Sequence, residues 1–249
     1  MWVEPRIQIT VANILMMLAI GVIAFSLTLK IPDMPIFAIH KVRISGNLQH
    51  LTREQLQLVI TKDLRGNLLT LDIDRLRDGF VKLPWVDKVS VSRAWPEAVN
   101  IVVAEHDIFA RWGSDGLVDS SGKIFSAASN AFLPIFNGPK DSVSIMLQHY
   151  AEYNRILSPL GFKVHVLDLS QRMSWEIVLG NGLLIKLGEQ ADEQRLQRFV
   201  DVYSQTVGKL PVMPSDVDLR YSNGFAMRLP ASVKKQAVAH NAALEKKNG

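Results

Sequence analysis

No cysteine occurs among the 249 residues, which excludes disulfide staples, thiolate metal sites and a cysteine nucleophile together. Net charge is also small, with 28 Lys and Arg against 24 Asp and Glu. Residues 232–249 hold four lysines against one glutamate, so +3 of the formal +4 lies there and the rest of the chain is close to neutral. A pI near 9.3 therefore reports a basic, flexible tail rather than a nucleic-acid-binding body, and no aromatic residues interleave those lysines to stack on bases. Histidine is thinly spread. His40, His50, His106, His149, His165 and His240 form no H-E-x-x-H or other ligand spacing. Gly113-Ser114-Asp115-Gly116 is one residue short of a nucleophile elbow, and Gly180-Asn181-Gly182 lacks the third glycine of a dinucleotide loop, so both read as turns. Asp72 and Asp74 open a helix, while Asp115 and Asp119 flank turns, the ordinary places for such carboxylates. The sequence thus offers no catalytic, cofactor or metal site.

What is present begins with an apolar run. Residues 7–29 contain 23 residues without a charge, enough at ~1.5 Å per helical residue to cross a hydrocarbon layer ~30 Å thick. The run exceeds the ~7–15 apolar residues of a cleaved signal peptide, and no small-x-small cleavage site follows it. It reads as an uncleaved transmembrane helix. Arg6 and the amino terminus against Glu4 make residues 1–6 a slightly positive cytoplasmic head, which sends the bulk of the chain to the other side.

Beyond Pro32 and Pro35 the periodicity changes. Residues 37–47 alternate as a strand. "LTREQLQLVI" offers Thr52 as N-cap with Gln55 at the third helical position, and "LDIDRLRDGFVKL" repeats helical spacing behind Asp72. Two alternating runs follow, joined by a turn at Trp95-Pro96-Glu97. The order β-α-α-β-β over residues 36–105 describes one small sheet with two covering helices, in which Trp85, Val89 and Val91 belong to the core and Lys88 and Ser90 face outward.

Residues 106–231 read as a second, sheet-rich domain. Residues 109–136 have a strand-and-turn texture of hairpins in series, and two more runs surround Gly180-Asn181-Gly182. Two helices cross this sheet: one with Leu147, Tyr150, Asn154 and Leu157 on its stripe, the other with Leu196, Phe199, Val200, Tyr203 and Val207. The fold class is α+β. "DLRYSNGFAMRL", residues 218–229, closes the domain as a hairpin. A two-residue loop would mix apolar with polar side chains on one face; a three-residue loop with Gly224 in the left-handed conformation pairs Tyr221 with Phe225, Leu219 with Met227 and Val217 with Leu229. The second arm then ends the sheet, with Arg228 as a charge that could blunt the edge.

An apolar span followed in order by "VRISGN", "GNLLTLDI", "LPWVDKVSVSRAWPEAVNIVVAEH", "LVDSSGKIF", "LPIFNGP" and "VDLRYSNG" resembles the bacterial cell-division family FtsQ/DivIB, from the span to about Pro230. The resemblance implies a single-pass inner-membrane protein with a periplasmic POTRA module and a β domain, acting at the division septum without a cofactor. It also implies partners. In the family FtsB, joined to FtsL as a coiled coil, extends the sheet of the β domain at its C-terminal edge. Carried over by motif, "DLRYSNG" supplies Arg220, Tyr221 and Ser222, "QRMSW" supplies Arg172, and Phe225, Ala226, Met227 and Arg228 supply the pairing strand. Lys88 and Ser90 are candidate POTRA contacts for other division proteins. An anchored cell-wall hydrolase would need converging acids or an activated nucleophile, and a POTRA chaperone for outer-membrane chains would need tandem repeats and a barrel. Neither pattern is present.

Overall fold

The computed structural model describes residues 5–30, 37–189, 193–221 and 223–230. The proposed head up to residue 4, Ser222 and the basic tail at 232–249 lie outside the described residues. Helix α1, Pro5–Lys30, is 26 residues long, and the side chains described along it, among them Ile14, Leu18, Ile20 and Phe25, are exposed. Among the described residues no helix is long and apolar enough to cross a membrane.

The remainder divides into two compact units that meet in the sequence at His106 and Asp107. In the first, β1 (Lys41–Ser45), α2 (Arg53–Asp63), α3 (Ile73–Val81), β2 (Val86–Ala94) and β3 (Ala98–Glu105) reproduce the β-α-α-β-β order. The sheet order is β1-β3-β2, parallel between β1 and β3 and antiparallel between β3 and β2. Local chemistry sets the helix starts. Thr52 and Gln55 form a reciprocal capping box, and the Asp72 carboxylate accepts from the Arg75 N–H at 2.9 Å. Leu56, Val59, Leu76 and Phe80 of the helices and Val99, Ile101 and Val103 of β3 are all buried, and α3 packs on α2 and β2. Trp85 is buried and stacks on His50 at 3.7 Å, while Val89 and Val91 are half-buried. Lys88 and Ser90 are exposed.

Among the described residues the second unit is built on one sheet of nine strands: β4 (Ile108–Trp112), β5 (Gly116–Asp119), β6 (Ile124–Phe125), β7 (Ile135–Asn137), β8 (Val164–Leu169), β9 (Trp175–Leu179), β10 (Leu184–Gly188), β11 (Asp216–Asp218) and β12 (Ala226–Arg228). Their order across the sheet is β12-β11-β10-β9-β8-β7-β4-β5-β6. β4, β5 and β6 are hairpins in series, as expected, but β7 runs parallel between β4 and β8. Helices α4 (Val143–Leu157) and α5 (Glu193–Tyr203) pack on each other, and the core forms between them and one sheet face. α5 buries Leu196, Phe199 and Val200, three of its expected residues. α4 buries Leu157 of its expected stripe and packs Leu147 and Tyr150 partly buried against the core, but its most buried face is turned from that stripe. Val143, Met146, Tyr153, Ile156 and Leu157 are buried, whereas Asn154 sits at the margin and accepts from the Val164 N–H at 2.9 Å.

Candidate functional site

The last strand of this sheet is β12, which has a neighbour, β11, on one side alone among the described residues. Its three residues are all exposed. At ~3.4 Å per residue they present about 10 Å of backbone whose outward N–H and C=O groups have no ladder partner, the feature that folded proteins either blunt or use.

The hairpin register differs from the expected one. Val217 pairs with Met227, flanked by Asp216 with Arg228 and Asp218 with Ala226, so the connection is a long loop over residues 219–225 rather than three residues around Gly224. The cause is a side chain. Immediately after β11 the Asp218 carboxylate accepts from Arg220: the backbone N–H at 3.1 Å, Nε at 2.9 Å and Nη2 at 2.6 Å. This clasp turns the backbone away from the strand direction before a tight hairpin can form. The Arg220 hydrogen bonds hold the Asp218 carboxyl below the usual carboxylate range, against the upward push of burial, and the same contacts raise the Arg220 guanidinium. Beyond the clasp the loop splits by polarity. Tyr221, expected inward in the tighter register, is 57% exposed, whereas Phe225 turns in to meet Phe199 edge-on at 5.7 Å. Arg228 Nε pairs across the strands with Asp216 Oδ2 at 3.4 Å, and its side chain is otherwise exposed.

Strand registers locate the other predicted residues. Leu169 pairs with Trp175, Trp175 with Gly188, and Lys186 with Asp218, so the β8–β9 turn and the Arg220 loop lie at the same end of the sheet. Arg172 is exposed in that turn. The turn is tied by Met173 N–H to Ser170 O at 2.9 Å and by Ser170 N–H to Ser174 O at 3.0 Å. Met173 holds φ at 58°, left-handed backbone that costs a residue with a Cβ roughly 1–2 kcal/mol, and its side chain is exposed. The structure therefore gathers Arg172, Arg220, Tyr221, Ala226, Met227 and Arg228 on one end and edge of a single sheet. Lys88 and Ser90 belong to the first unit.

Two features of the site were missed from sequence. One is Met173, whose φ no sequence pattern announces. The other is a groove of about 320 Å³ between α5 and the 219–225 loop, floored by Phe199, Leu219 and Phe225 and rimmed by Arg195 and Arg198. Its signal was available: α5 carries arginines three apart on the flank of an apolar stripe.

Residues 110–220 match the family model "Cell division protein FtsQ/DivIB, C-terminal", and residues 37–106 match "POTRA domain, FtsQ-type". The cell division protein FtsQ of Nitrosospira multiformis is 41% identical over 204 residues, covering 81% of this chain and 86% of that protein. FtsQ of Burkholderia pseudomallei is 31% identical over 235 residues, covering 92% and 94%, and FtsQ of Coxiella burnetii is 30% identical over 222 residues, covering 88% and 90%. With both modules matched in order and relatives of this identity spanning most of its length, the chain belongs to the FtsQ/DivIB family of bacterial cell-division proteins.

Proposed function

We propose that the chain is a non-catalytic scaffold of the division machinery, anchored in the inner membrane by α1 and holding its two units in the periplasm at the septum. Its principal contact is FtsB, which adds a strand to β12 and brings FtsL with it. The observation that carries this reading is the open, fully exposed edge of β12 with Tyr221 standing beside it. Strand addition supplies affinity through main-chain hydrogen bonds, and an exposed aromatic with nearby arginines supplies the anchor and the charge selection, here for acidic side chains. The anchor reading rests on the sequence, whose 23 uncharged residues at 7–29 are enough at ~1.5 Å per helical residue to cross a hydrocarbon layer ~30 Å thick. Lys88 and Ser90, exposed on edge strand β2, are a second contact surface for other division proteins. No cofactor enters this reading.

The test is affinity of the full-length chain for FtsB in detergent, comparing Ala226→Pro and Met227→Pro. Backbone N–H groups alternate sides along a strand, so one of the two prolines removes an outward donor without touching the β11 ladder. At least one folded proline variant should lose FtsB binding. Undiminished affinity in both, with unchanged melting, would place the partner elsewhere.

A further inference from the structure

The first unit carries a second exposed aromatic feature, at the end where the chain enters it. Trp95, in the β2–β3 turn, is 57% exposed and meets Phe37 edge-on at 6.0 Å. Three pieces of chain are pinned together there. His40 and Lys41 N–H donate to Glu97 O, and Leu68 N–H donates to Phe37 O at 2.8 Å. Arg93 clamps the third piece, donating through Nε to Leu68 O at 2.6 Å and through Nη2 to Leu71 O at 2.8 Å. In the same loop Asn67 Oδ1 accepts from Leu69 and Thr70 N–H, which presents Leu69 outward and exposed. The result is an apolar tip of Trp95, Phe37 and Leu69. Around the Glu97 carboxylate stand Lys41, His40 and Arg43, so the flank of the tip is net basic.

An exposed tryptophan on a rigid turn needs no explanation alone, but its distance from α1 is limited. From Lys30 to Phe37 there are seven Cα steps, which span at most about 25 Å. That is comparable with the ~28 Å breadth expected for the 70 residues from 37 to 106. If α1 crosses the bilayer, the entry end of the module is the end held toward the headgroups. Amphipathic tryptophan is favoured at that depth, with its indole N–H among polar groups and its ring against acyl chains, and basic side chains meet lipid phosphates.

We propose that the Trp95–Phe37–Leu69 tip, with Lys41 and Arg43 beside it, docks on the headgroup layer of the bilayer that α1 crosses, so that the first unit stands on the membrane rather than swinging on its tether. This rests on the reading of α1 as an anchor. The test uses the full-length chain reconstituted in phosphatidylcholine–phosphatidylglycerol vesicles with bromine on the upper acyl carbons, which quenches tryptophan near the headgroups. Trp2→Phe removes the tryptophan at the start of the chain, and Trp2→Phe/Trp95→Phe removes the tip residue as well. Bromolipid quenching should be present in the first variant and largely lost in the second, with equal melting temperatures. Equal quenching in both, in protein that resists alkaline extraction, would overturn the docking while leaving the anchor intact. Release of the protein by alkaline extraction would instead overturn the anchor and the docking with it.

Discussion

Arg220 and Asp218 are joined two residues apart by four hydrogen-bond contacts, Nε reaching both carboxylate oxygens, with Nη2 to Oδ2 the shortest at 2.6 Å. The clasp fixes where the chain leaves β11 and therefore where Tyr221 stands. It should also fail in acid with a predictable sign. The folded Asp218 carboxyl is held below its ordinary value, so the clasp is intact above the unfolded value of about 4 and is lost as pH falls through the lower, folded one. Amide exchange at Arg220 and Tyr221, corrected for intrinsic rate, should stay flat above pH 5 and rise below about pH 4. In Asp218→Asn it should be fast throughout, with no acid step. A flat profile in both proteins would mean that the backbone, not the carboxylate, sets the loop.

Tyr221 and Arg172 are exposed, and no hydrogen bond or ion pair of Arg172 is found among the described residues. Replacing either by alanine should leave the melting temperature within a degree or so while weakening FtsB binding about ten- to a hundred-fold, the size of one interface anchor. Isothermal titration on the folded variants checks it. A loss of stability equal to the loss of binding would mark them as structural residues.

Gly46 lies where a side chain cannot fit. A Cβ built there would stand 2.0 Å from the Val103 carbonyl oxygen, and φ is +148°. Gly46→Ala should destabilise the POTRA unit by more than about 2 kcal/mol, since a backbone carbonyl of the central strand must move to make room. Chemical denaturation of the full chain should show an early transition from this unit.

How far the fold was legible depends on the range of the interaction. The capping box at Thr52 and Gln55, the Asp72 cap and the Trp95-Pro96-Glu97 turn are short-range devices and were read correctly. α4 was read one position out, because apolar residues occur on two adjacent stripes and packing on the sheet, not periodicity, selects Tyr153 over Asn154 as the inward residue. β8 has no counterpart in the sequence reading. Its alternation is interrupted by an irregularity between Val164 and Val166, which hides the strand pattern in the middle of the sheet. At the site, Arg220 and Tyr221 came from a motif, but the long 219–225 loop depends on a clasp that competes with tight-turn chemistry.

Glu105 ties the last strand of the POTRA unit to the start of α2. Its carboxylate, 6% exposed, accepts from the N–H groups of Gln49, His50 and Leu51 at 2.9–3.2 Å and faces His50 Nδ1 at 3.1 Å. Burial pushes its pKa up, but the backbone donors of Leu51 and Gln49 and the His50 ring outweigh it, so the net direction is down. The stabilisation is thus complete above about pH 4.3 and fades as pH falls through the folded value. Glu105→Gln should cost about 1.5–3 kcal/mol at neutral pH. It should also shrink the acid-side loss of stability. An identical acid limb in wild type and variant would assign that limb to other carboxylates.

Met173 gives the last prediction, because its strained backbone sets the direction of its neighbour. With φ at 58° in a turn closed from Ser170 to Ser174, it determines how Arg172 projects from the end of the sheet. Asparagine tolerates left-handed backbone and keeps the chain's unfolded freedom nearly unchanged, so Met173→Asn should preserve the turn and raise stability by up to about 1 kcal/mol. Valine is β-branched and resists that conformation, so Met173→Val should cost about 1–2 kcal/mol and swing Arg172 away. If the turn's role is to aim Arg172, FtsB affinity falls in Met173→Val and persists in Met173→Asn, although neither variant alters the arginine. Equal loss in both would show that the methionine side chain itself meets the partner. Wild-type affinity in Met173→Val, with lowered melting, would detach the turn from binding altogether and leave Tyr221 and the β12 edge as the whole of the contact.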